Sequence, residues 1–176
     1  MPAIKIEAFT FEYNQLQDRI CLGGNLYNDK AEISFWLTRR LVLRLLTAAV
    51  ELVQKTSPKI TNTPQEHKLA MAQFEHQCAQ QKGSSNVEKT APLSGSNVQP
   101  INANILHRMD ISCKDQRYKV SFFVVDTEEA VAISYLDSGQ FHQVLSFIHS
   151  GALELEWGVE ADLFASDDAQ QQYTLQ

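Results

Sequence analysis

Apolar and polar positions alternate in two separate blocks of this chain, and each block runs into a helical pattern. Residues 33–37 read as a short strand that passes directly into a helix from Thr38 to about Lys55. On a helical wheel Leu41, Leu45, Ala48 and Leu52 form one row, and Val42, Leu46, Ala49 and Val53 form the next. Leu43 and Val50 widen the apolar arc past half the circumference, leaving Arg40, Arg44, Thr47, Glu51 and Lys55 as a narrow polar stripe. An arc that wide predicts burial on more than one side, so this helix is expected at the centre of the core.

Upstream, Ile4, Ile6 and Ala8 alternate with Lys5 and Glu7, and the phase then slips to Phe9, Phe11 and Tyr13. That predicts one strand with a bulge near Phe9. A second strand is expected over 19–26, bent at Gly23-Gly24, and a third over 31–37. Downstream of the helix, Thr63-Pro64-Gln65-Glu66 has the form of a capping box with proline at the first helical position. The helix it opens should reach about Gln81 and lay a stripe of Ala70, Met71, Phe74 and Cys78 on the first helix. Residues 83–102 are rich in Gly, Ser, Asn, Thr and Pro without any apolar period, and are expected to be a flexible linker.

The second block opens with Ile105, His107, Met109, Ile111 and Cys113 on one strand face, followed by strands over 118–125 and 130–136. Asp137-Ser138-Gly139 opens a last helix with Phe141, Val144, Leu145 and Ile148 inside and Gly151 as its stop. Leu153, Leu155 and Trp157 alternate with glutamates and predict a final strand; 159–176 reads as an acidic, Gln-rich tail. The expected fold is therefore α+β, one domain over 1–158. Its antiparallel strands run in a β-β-β-α-α-(linker)-β-β-β-α-β order, packed around the buried central helix.

Composition narrows the function classes. The 176 residues carry a formal charge of −6, split as +2 over 1–100 and −8 over 101–176. Nucleic-acid binders concentrate positive charge on one face, so no nucleic acid is expected as a partner. The chain start lacks a basic region followed by an apolar run, and the longest greasy segment, 41–53, carries Arg44 and Glu51. A spanning helix needs about 20 apolar residues, so no membrane partner is expected. Three widely spaced cysteines without a Cys-x-x-Cys motif predict reduced thiols and a cytoplasmic location.

Candidate chemistry is sparse. Arg39, Arg40 and Arg44 crowd the first turns of the central helix, the end where the helix dipole already presents positive charge. They point either to a bound phosphate or carboxylate or to pairing with Glu7, Glu12, Asp18 or Asp29; the preceding Phe35-Trp36-Leu37 rules out a glycine-rich phosphate loop. His67 and His76 lie half a turn out of phase, His142 and His149 about 10 Å apart along one helix, and His107 and Cys113 about 20 Å apart on one strand. No such pair brings two ligands to one ion, so no metal and no cofactor is expected. Ser94-Gly95-Ser96 lacks the strand and helix of a nucleophile elbow, Cys21, Cys78 and Cys113 fit apolar patterns, and Glu128-Glu129 and Asp167-Asp168 sit in a turn and a tail.

The expected function is a non-enzymatic protein-interaction or self-association module, with a homodimer or another protein as partner. Trp36, Leu43 and Val50 are its interface candidates, because the central helix offers more apolar arc than one sheet covers. A small anion-binding or catalytic domain using the arginine cluster is the reading from another class. In element order alone, three strands, a helical pair and a three-stranded meander resemble the head domains of centriole and DNA end-joining scaffold proteins. That resemblance implies a scaffold head, from which the strand expected after the last helix departs.

Overall fold

The computed structural model describes residues 2–26, 29–83, 87–89 and 103–165. Among the described residues eight strands form one sheet: β1 (Ile4–Ile6), β2 (Phe9–Asn14), β3 (Arg19–Gly24), β4 (Ile33–Thr38), β5 (Val87–Lys89), β6 (Asn104–Lys114), β7 (Arg117–Val124) and β8 (Ala132–Leu136). Their order is β1-β8-β7-β6-β4-β3-β2-β5. The α+β class is as expected; the all-antiparallel sheet is not. β1 lies parallel to β8, β4 to β6 and β2 to β5. The reason is connectivity: β4 reaches β6 only through a long helical crossover, and a crossover of that kind returns the chain in the parallel sense.

The expected bulge near Phe9 is instead a complete break, with β1 pairing β8 at one end of the strand order and β2 pairing β3 and β5 at the other. One buried side chain stitches the break. Asn25, 1% exposed and at φ 60°, accepts from the backbone N–H of Glu7 (2.9 Å) and Ala8 (3.3 Å). Its amide donates to the carbonyls of Lys5 and Ala31. Backbone groups that leave one strand position before reaching the next are thereby satisfied without a ladder. Of the stretch expected as a linker, Val87–Lys89 forms β5; 84–86 and 90–102 lie outside the described residues.

The helices of the described residues are α1 (Arg39–Thr56), α2 (Pro58–Thr61), α3 (Lys68–Lys82) and α4 (Ser138–Glu154). The central one is α4, not α1. It touches β2, β3, β7 and β8 as well as α1 and α3, and buries Phe141, Val144, Leu145, Ile148 and Ala152 together with His142, Gln143 and His149. Phe147 stacks on Phe11 at 5.6 Å, and its carbonyl accepts from the Tyr13 hydroxyl. Gly151 does not stop the helix. A Cβ there would stand 2.6 Å from Tyr13 and 2.7 Å from Ile20, so glycine is what lets α4 lie against β2 and β3.

By contrast α1 buries Val42, Leu45, Leu46, Ala49 and Val53, while Leu41, Leu43, Val50 and Leu52 are half-buried and Ala48 is exposed. Its wide arc is only partly covered. The expected strand over 153–157 is absent: α4 continues to Glu154, and the Trp157 N–H then folds back onto the Ala152 carbonyl. Trp157 is 2% exposed; its indole N–H donates to Asp18 and its carbonyl accepts from Arg39 at 3.2 Å. The alternation in that stretch reflects a buried tryptophan after a helix end rather than a strand.

The expected capping box does not form either. The Thr63 hydroxyl donates to the Lys59 carbonyl, residues 65–67 make a 3-10 turn, and α3 starts at Lys68. Its buried face is Ala72, His76 and Ala79, turned away from the expected stripe so that Phe74 is 60% exposed. α3 packs chiefly on α4 rather than α1. Residues 159–165 of the expected tail are in contact with both helices: Phe164 is buried against His76 and His142, and Asp162 accepts from Gln73.

Candidate functional site

The half-covered side of α1 faces β6. Leu41, Leu45, Ala48 and Leu52, one helical row, stand opposite Met109 and Ile111, inward-facing residues of β6. Between them runs an open groove of about 300 Å³ whose walls are apolar except for Arg44. The row is apolar because it continues the stripe that seats Leu45 in the core; it stays open because Ala48 is too short to reach β6. A second hollow on the other flank of the helix is lined by Leu43, Arg44, Thr47, Ala48 and Glu51. Leu43 differs from the other leucines of α1, which all pack on the core, in that it does not.

The arginine cluster expected at the start of α1 does not act as one unit. Arg39 is turned to the Trp157 carbonyl, whereas Arg40 and Arg44 are exposed on the outer stripe. Among the described residues neither Arg40 nor Arg44 forms an ion pair. The carboxylates offered as their partners are engaged elsewhere in part: Glu7 with Lys5 and Lys30, and Asp18 with Trp157. The Thr38 side chain caps α1 by accepting from the Leu41 N–H. Of the interface candidates, Trp36 is 8% exposed and covered by the chain itself, Val50 packs on the core, and Leu43 borders the hollow beside Arg44.

Sequence spacing did not reveal the histidines that meet. His76 of α3 and His142 of α4 approach at 3.1 Å between their Nδ1 atoms, both rings lying against Phe164. The Gln80 amide nitrogen contacts His76 Nε2 at 3.3 Å, and an amide nitrogen can only donate. At 3.1 Å one of the facing Nδ1 atoms donates to the other, and the nitrogen left over on the His142 ring is Nε2. That nitrogen is buried without a partner, as are Gln73 Oε1 and Gln143 Oε1. Burial, followed by repulsion from His142 and His149, pulls the His76 pKa down to about 4. Burial also lowers that of His142, against an opposing pull from Glu75.

Among the described residues no group of three or more His, Cys, Asp or Glu side chains is placed to share a metal ion. Burial, reinforced by Glu12, raises the Cys21 thiol to about 12, which leaves it a protonated core group at neutral pH. No helix of the described residues is long and apolar enough to cross a membrane. The chain matches no protein family, no curated protein and no solved structure.

Proposed function

We propose that this chain is a protein-interaction module whose docking face is the groove between α1 and β6. The observation that carries this reading is the open row of Leu41, Ala48 and Leu52 facing Met109 and Ile111, with the exposed Arg44 guanidinium on the rim. Apolar walls supply the driving force for docking and a rim charge supplies orientation, the division of labour usual at protein interfaces. The anion-site reading draws less support, because Arg39 is committed to the Trp157 carbonyl and Arg40 and Arg44 are solvent-exposed. A photo-crosslinking side chain placed at Thr47 in cells producing the full chain tests the docking reading, with Thr61 on α2 as control. The expected result is an adduct of discrete mass from position 47, none from 61, and its loss when Ala48→Arg fills the groove. Equal yields at the two positions would overturn it.

A further inference from the structure

We infer that the occupant of the groove is a second copy of this chain, its α1 laid antiparallel across the first about a two-fold axis between Thr47 and Ala48. The inference rests on the docking reading above and adds the identity of the partner. Its ground is self-complementarity of the outer stripe. Arg44 and Glu51 lie about 5 Å to either side of that axis along the helix, so an antiparallel pair sets Arg44 of each copy against Glu51 of the other, twice over. A parallel pair would oppose Arg44 to Arg44 and Glu51 to Glu51. Antiparallel pairing also aligns the two helix dipoles favourably.

Shape agrees with charge. The residues at the crossing point are Thr47 and Ala48, both exposed and small, which permits close approach of the two helices. The same operation carries Leu43 of each copy to the flank of its partner that bears Leu52, into the groove walled by Leu41, Ala48, Leu52, Met109 and Ile111. That gives a role to the leucine of α1 that its own core does not use. Arg40 and Lys55, which the same operation relates, lie about 11 Å from the axis, where helices crossing at the common angle of about 50° have splayed apart. Glu51 already contacts Lys55 at 3.7 Å, but that pair is solvent-exposed and gives way cheaply.

Charge exchange tests the pairing. Sedimentation of the purified full chain is expected to give twice the 19.9 kDa monomer mass. Arg44→Glu alone and Glu51→Arg alone each turn two attractions into two repulsions and are expected to weaken self-association on the order of tenfold, with melting temperature unchanged. Mixed in equal amounts, the two variants restore the attraction at both contacts, and self-association should return. A monomeric wild type at every attainable concentration, single variants that assemble like wild type, or a mixture that stays apart would each overturn the inference. Should the wild type be monomeric while Thr47 still crosslinks to a different protein, the second copy is excluded and the docking face stands; loss of both results removes both.

Discussion

His76 and His142 hold one proton between their facing Nδ1 atoms, 3.1 Å apart, and burial disfavours a positive charge on either ring. A histidine whose folded pKa lies below its ordinary value of about 6.5 binds fewer protons when folded than when unfolded. Stability is therefore fully present above about pH 6.5 and is lost as pH falls toward about 4, the folded value for His76. The size of that loss is on the order of 3 kcal/mol for His76. Urea unfolding between about pH 7 and pH 4.5 should show it, and His76→Gln should flatten the profile over that window. Two other single residues carry the chain past obstacles. Gly151→Ala should cost about 1–3 kcal/mol despite the better helix propensity of alanine, because the Tyr13 ring is tethered by its hydroxyl and cannot yield. Asn25→Asp keeps the shape but replaces the amide donor facing Lys5 and Ala31 with an oxygen; a loss of about 3 kcal/mol or more in thermal or urea unfolding is expected.

The two long helices differ in what they support. Ile148 on α4 is fully buried, so Ile148→Ala should cost about 2–5 kcal/mol, whereas Leu43→Ala on α1 should cost less than about 1 kcal/mol. Equal losses in a pair of urea titrations would contradict the placement of α4 at the centre. The wheel of α1 showed a broad apolar arc and its surplus correctly but not which side stays open: Trp36 and Val50 are covered by the chain itself, and the opening lies along Leu41, Ala48 and Leu52. α4 hid its centrality behind His142, Gln143, His149 and Gly151, which read as polar residues and a breaker although each is buried. The strands β3, β4, β6, β7 and β8 were legible as elements, and β7 wrote its pleat into the residue order. The single face expected for β6, however, slips at a bulge between Leu106 and Arg108, so that Leu106 is buried while Ile105 and His107 are exposed. What joins those strands was not legible. The separation of β1 from β2 depends on Asn25, and the meeting of His76 with His142 depends on how α3 rotates, and neither leaves a local pattern.

At the scale of the whole molecule, the sheet halves meet at a short parallel contact, Phe35 with Asn104 and Trp36 with Ile105, and α4 bridges them from one side. Phe35 stacked on Phe122 at 5.4 Å ties the same two halves through the core. β6 runs on beyond β4, and α1 accompanies that extension without closing over it, which is how the groove arises. Surface that remains open in this way, with Leu43 and Arg44 beside it, is the feature on which the proposed assembly depends. The most direct test is methyl NMR of the full chain across a dilution series. The account predicts concentration-dependent shifts for the methyls of Leu41, Leu43, Leu52, Met109 and Ile111, while those of the fully exposed Leu16 stay fixed. Groove methyls that hold their positions throughout, or that move no more than Leu16, would contradict it.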